Sequence, residues 1–150
     1  MSGALNIYLH QGRHFHDALS INERALAVAR ALGDRHAEGT VLDGLGSALC
    51  EVRRFDDAIQ AHTQAVGICR ELGNRHGEGV ALINLGTALQ EVRRFDEAVR
   101  AHTQAISILD ELNDQYGKDQ AQQALDMTLA ETRRGWRRWF RRKPAGGPEA

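Results

Sequence analysis

The chain contains no run of about 18 apolar residues, so no segment is long enough to cross a bilayer as a helix. Its N-terminus, MSGALNIYLHQGRHF, lacks the basic-then-apolar order of a secretory signal, and a cytoplasmic location is the expectation. Only two cysteines occur, Cys50 and Cys69, in neither a CxxC pair nor a dense framework, which argues for reduced thiols over a disulfide. Aromatic residues make up 5% of the chain while Ala, Leu and Gly abound, a balance that disfavours a sheet protein and favours close helix packing. Neither a GxGxxG stretch nor a phosphate loop is present.

What is there fits one soluble domain: 150 residues, 42% hydrophobic and 26% charged. The net charge of −1 hides an asymmetry. Residues 1–132 carry 12 basic against 19 acidic side chains, whereas residues 133–150 carry 7 against 1. An acidic body therefore ends in a basic tail, a split that points to an interaction tail.

The dominant feature is a repeat of 40 residues. Gly33 to Leu72, GDRHAEGTVLDGLGSALCEVRRFDDAIQAHTQAVGICREL, aligns with Gly73 to Leu112, GNRHGEGVALINLGTALQEVRRFDEAVRAHTQAISILDEL, at roughly 25 of 40 positions. Phe15 and Ala18 extend the alignment upstream and Leu125 extends it downstream, giving about three and a half units. Within a unit, Leu42, Leu45, Ala48, Leu49 and Val52 recur at helical spacing, as do Phe55, Ala58, Ile59, His62, Ala65 and Val66. Each unit reads as an antiparallel helix pair.

Gly33 and Gly73 are placed to end one helix in a left-handed residue, with Asp34 and Asn74 as N-caps of the next. First helices are expected at about 35–53, 75–93 and 115–133, second helices at about 16–32, 56–72 and 96–112, and a shortened first helix at about 3–12. The fold class is therefore all-α, an α–α superhelix of about seven helices. Glycines 39, 46, 79 and 86 and alanines 58, 65, 98 and 105 recur in register, which argues for tight crossings between helices.

Seven histidines raise the question of catalysis or metal binding. His10, His14 and His16 gather near Asp17 with spacing looser than a metal-binding motif. His62 and His102 occupy equivalent places, where a partly buried, hydrogen-bonded structural role suits them better than chemistry, and His36 and His76 fall beside helix caps. No nucleophile, base and orienting acid assemble as a set. No enzyme activity, metal, cofactor or small-molecule substrate is expected.

The motif Leu42-x2-Leu45-Gly46-x2-Leu49, followed by Ala58-x3-His62 and Ala65 and repeated from Leu82 to Ala105, resembles the tetratricopeptide repeat over about residues 1–134. The unit exceeds the usual 34 residues, the closing Pro is missing, and histidine stands in an aromatic place. These departures resemble the long-repeat subgroup of LGN/Pins scaffolds, kinesin light chains and tetratricopeptide regions attached to bacterial regulators. The stretch Gly73-Asn74-Arg75-His76-Gly77-Glu78-Gly79 with Asn84-Leu85-Gly86 carries that likeness.

The resemblance implies a scaffold that binds a peptide or protein segment in a groove lined by first helices. By position the lining is Thr40, Asp43, Ser47, Cys50 and Glu51, then Val80, Ile83, Asn84, Thr87, Gln90 and Glu91, then Gln123, Met127 and Glu131. It further implies that Asn84 holds the backbone of an extended peptide, a role Gly44 cannot fill in the preceding unit. A carboxylate clamp of Lys and Asn is missing, which argues against a chaperone-tail ligand. Asp43, Glu51, Glu91 and Glu131 favour a basic or amphipathic ligand, with Ile83 and Met127 as apolar anchors. Solvated helix faces are the plainer alternative.

The helix expected at 115–133 keeps Ala121, Ala124, Leu125 and Thr128 inward and reads as a polar C-terminal cap. Leu5, Tyr8 and Leu9 leave the other end uncapped, so that a homodimer through that end and a fragment of a longer protein both stay open. Residues 135–143 read as a basic amphipathic helical tail, with Trp136, Trp139 and Phe140 on one face and Arg137, Arg138, Arg141 and Arg142 on the others. The tail has three readings: a degenerate second helix packed on the cap, a contact to anionic membrane or nucleic acid, or a ligand for the acidic groove of its own or a neighbouring copy. Residues 144–150 read as disordered.

Overall fold

The helical periodicity is realised as six helices and, among the described residues, no strand. The computed structural model describes the backbone of residues 3–142 and the side chains of residues 17–138 and 141. In order the helices are α1 (Gly3–Leu32), α2 (Arg35–Glu51), α3 (Phe55–Glu71), α4 (Arg75–Glu91), α5 (Phe95–Glu111) and α6 (Gln115–Arg142). None of them is long and apolar enough to cross a membrane.

Two kinds of turn alternate. Between units, Gly33 and Gly73 adopt φ of +67°, open to glycine at no steric cost, and Asn113 takes the same place at +55°. The next residue caps the following helix: Asp34, Asn74 and Asp114 accept the N–H groups of Ala37, Gly77 and Gly117 at 2.9, 2.9 and 3.0 Å. Within units the turn has no glycine. Arg53 and Arg93 are left-handed at φ 62° and 64°, a conformation the sequence did not betray. Hydrogen bonds from Arg53 N to Cys50 O and from Arg54 N to Leu49 O, both 2.9 Å, close this turn. Each left-handed arginine also lays its guanidinium 5.4 Å from the ring of Phe55 or Phe95, which offsets part of the cost of the backbone. The first helices accordingly stop at Glu51 and Glu91, two residues earlier than expected.

Small residues set the crossings. Ala58, Ala65, Ala98 and Ala105 are wholly buried. At Gly46 and Gly86 an added Cβ would lie 2.6 and 2.4 Å from the rings of His62 and His102, so each histidine lies directly across a glycine. Charged junctions repeat as well. Arg70 and Arg75 grip the buried Glu78 at 2.6 and 2.7 Å, as Arg30 and Arg35 grip Glu38. At the next junction the signs are reversed, with Asp110 facing Lys118.

The expectation of seven helices needs correction to six. The short first helix at 3–12 and the second helix at 16–32 are one continuous α1, with no turn at 13–15. The sequence departs from the repeat there: Asn6 and Asn22 stand where Gly46 and His62 make their close crossing, so that glycine–histidine contact has no counterpart in this unit. The side chain of Asn22 instead donates to Ala18 O of its own helix at 2.9 Å. At the other end α6 does not stop near Arg133 but continues to Arg142, so the stretch expected as a separate tail helix prolongs the same axis. Residues 143–150 lie outside the described residues.

Candidate protein-binding groove

Consecutive helices pack as antiparallel neighbours, and contacts between non-consecutive helices are of one kind only. Helix α2 touches α4 and α4 touches α6, whereas among the described residues α1, α3 and α5 touch one another nowhere. The layer whose members meet is the shorter arc, so α2, α4 and α6 form the concave face. The residues named for a groove all lie on these three helices.

They fall into three sets. At the α2–α4 seam, Asn84 Nδ2 donates to Asp43 Oδ1 and Oδ2 at 3.1 Å each, and His62 Nδ1 lies 2.8 Å from Oδ1. Burial works against the charge on Asp43, yet the hydrogen bonds from His62 and Asn84 outweigh it and hold the carboxyl below its ordinary range. Asp43, Thr40 and Val80 line a cleft of about 260 Å³ between the two helices. One turn or more further along, Glu51 and Glu91 both act on Cys50, whose thiol is pushed up by burial and then by these two carboxylates. Both glutamates are exposed, and neither has an ion-pair partner among the described residues.

The third set is at the α4–α6 seam. The hydroxyl of Thr128, fully buried, lies 2.8 Å from Gln90 Oε1 and 2.9 Å from Ala124 O, so the side chain of Gln90 is engaged between helices. Ser47 and Thr87 are exposed, with hydroxyls donating to the carbonyls of Asp43 and Ile83 at 3.1 and 3.0 Å. Ile83 is half-buried against the core, whereas Gln123 and Met127 face solvent. Glu131 pairs with Arg134 at 2.6 Å. Of the four groove acids, only Glu51 and Glu91 are left uncommitted.

A tetratricopeptide repeat family model matches residues 6–71 and again 40–111, well over half of the chain. The protein belongs to the tetratricopeptide repeat family. Comparison with curated proteins finds no match. Tetratricopeptide repeats mediate contacts between proteins and as a rule form non-catalytic scaffolds, and the concave face of this array is where three helices present side chains together.

The two repeat-related histidines differ in a way the sequence reading missed. His62 is buried and bonded to Asp43, but His102 is buried with neither ring nitrogen hydrogen-bonded among the described residues, and desolvation lowers its pKa to about 4. The signal was in the sequence: the repeat mate of Asp43 is Ile83, which offers no acceptor. The side chains of His10, His14 and His16 lie outside those described. Among the described residues no group of three metal-ligating side chains converges.

In the tail, Trp136 is 59% exposed and lies beside Arg93, Phe95, Thr132 and Gly135 at the α4–α5 turn of the tetratricopeptide array. On its other side Arg133, Arg137 and Arg141, spaced four apart along α6, share a shallow concavity with it. The side chains of Trp139, Phe140 and Arg142 lie outside those described, and Arg138 is exposed.

Proposed function

We propose that the face made by α2, α4 and α6 binds a basic or amphipathic protein segment, with Asp43, Ser47, Glu51, Ile83, Asn84, Thr87, Gln90, Glu91, Gln123, Met127 and Glu131 as its lining. One observation carries this reading: Glu51 and Glu91, exposed at matching places on the touching helices α2 and α4, have no cationic partners among the described residues. Two uncompensated carboxylates on a concave face favour a cationic side chain of the ligand. Asn84, fastened to Asp43, presents a fixed rather than a swinging amide at the seam. The 40-residue period and the Gly73–Gly79 stretch support placing the chain in the long-repeat subgroup.

The test is selection of ligands from a displayed peptide library, followed by affinity measurement on the chain and on Glu51→Lys/Glu91→Lys. Basic or amphipathic peptides are expected, with affinity falling by about tenfold or more in the variant, equivalent to about 1.4 kcal/mol. Acidic peptides, or equal affinity for both proteins, would overturn the reading.

A second reading rests on the tail. Arg137, Arg138 and Arg141 are exposed on a helix that runs on past the packed array and have no acidic partner among the described residues, a setting suited to an anionic membrane or nucleic acid. Deleting residues 135–150 separates the two: the groove ligand stays bound after truncation, whereas salt-dependent binding to anionic vesicles or DNA is lost.

A further inference from the structure

The groove-side stripe of α6 changes sign as the helix leaves the array. It runs through Gln123, Met127 and Glu131 and, followed at three- and four-residue spacing, continues through Arg134, Arg138 and Arg141. Residues 133–142 contain six arginines and no acid. Arg134 is paired with Glu131 at 2.6 Å, whereas Arg138 and Arg141 are exposed and have no acidic partner among the described residues. These two lie seven and ten residues past Glu131, about 10 and 15 Å further along the axis at the rise of an α-helix. Among the described residues α6 touches α4 and α5 and no other helix. Continuing as one helix, it carries both arginines beyond the acids of their own groove.

The concave face supplies their counterpart. Glu51 and Glu91, at the repeat places of Glu131, are the last residues of α2 and α4 and are exposed. The arginines that follow them are engaged elsewhere: Arg53 and Arg93 lie over the rings of Phe55 and Phe95, and Arg54 and Arg94 pair with Asp57 and Glu97. The two acids thus lack cations and the two arginines lack anions. Both sets lie at the same end of the array, since α2, α4 and α6 run parallel. Two copies that exchange the basic ends of α6 satisfy both sets at once, and the reciprocal exchange closes at a dimer. On the reading of the concave face as a groove for basic segments, we infer that its occupant is the basic end of α6 from a second copy of this chain, with Arg138 and Arg141 set against Glu51 and Glu91.

Sedimentation analysis of the full chain over a concentration series tests this. The unmodified chain is expected to dimerise reversibly, and less so as salt is raised, because the contact joins exposed charges. Glu51→Lys/Glu91→Lys alone and Arg138→Glu/Arg141→Glu alone each bring like charges together and are expected to weaken the dimer about tenfold or more. Mixed in equal amounts, the two variants are complementary at both contacts and are expected to form a heterodimer near the original affinity. All four positions are exposed, so helical circular dichroism is expected to stay unchanged. A chain that is monomeric at low salt, including one whose arginines bind anionic vesicles or DNA instead, a dimer indifferent to either variant, or variants that do not rescue one another on mixing would each overturn the inference. Basic peptides from the displayed library, measured on Arg138→Glu/Arg141→Glu so that no basic end of α6 competes, separate this outcome from failure of the groove itself. Binding of those peptides beside a monomeric parent keeps the groove and removes α6 as its ligand, whereas no binding beside a monomeric parent removes both.

Discussion

Asn84 of α4 donates to both carboxylate oxygens of Asp43 of α2, at 3.1 Å each, and thereby fastens two neighbouring units through residues 41 positions apart. His62 completes the arrangement from α3, so one carboxylate joins three helices. Neither residue recurs at its repeat mate, where Ile83 and Gly44 stand. This seam is thus a property of the pair of units and not of the unit.

Asp43→Ala leaves the buried ring of His62 and the amide of Asn84 without their acceptor, and is expected to cost roughly 1–3 kcal/mol in urea unfolding at neutral pH. The carboxyl of Asp43 is held below its unfolded value, so its contribution is present above that value and is lost as pH falls through the folded one. Unfolding free energy measured from pH 6 downward is therefore expected to drop less steeply at acid pH in Asp43→Ala than in the parent.

His102 gives a separate dependence. Its folded pKa of about 4 is below the unfolded 6.5, so the unfolded chain takes up the proton first as pH falls. Stability from this group is complete above about 6.5, declines as pH falls, and levels off below about 4. The span corresponds to roughly 3 kcal/mol at most. His102→Phe, an aromatic without a proton to bind, is expected to remove the slope between those limits in a pH series of melts, whatever its effect on the absolute stability.

Gly46→Ala places a methyl 2.6 Å from the ring of His62 and is expected to destabilise by roughly 1–3 kcal/mol. Gly67→Ala, in α3 with nothing within 4 Å of the new atom, is expected to stabilise by up to about 1 kcal/mol through helix propensity alone. Paired thermal melts of the two variants check both signs.

Ala58→Leu and Ala98→Leu add three carbons where the native side chains are fully buried. Overpacking of roughly 1–3 kcal/mol in a chain of this size lowers the melting temperature by several degrees. An unchanged melt in calorimetry would remove these alanines from the crossings.

Much of the architecture was legible in the residues. Gly33 and Gly73 announced left-handed turns and Asp34 and Asn74 announced caps because both need chemistry that few residue types supply. The turns at Arg53 and Arg93 were not announced: an arginine carries no preference for that backbone, and what sustains it is closure of the helix end and the ring two residues later. The groove residues were legible as positions on one layer, but not their commitments. That Gln90 serves Thr128 and Asp43 serves Asn84 depends on side chains about 40 residues apart, between units whose sequences differ at those places.

By itself the sequence determined the all-α repeat, its period and the edges of most helices, because periodic burial and terminal chemistry are local and each unit states them again. Only the tertiary structure decided that α1 and α6 run on where a turn was expected, which acids of the concave face stay uncommitted, and that His62 is bonded while His102 is not. Those outcomes depend on which atoms of neighbouring helices come within hydrogen-bonding or van der Waals distance. That depends on what differs between units, which a repeat pattern does not encode.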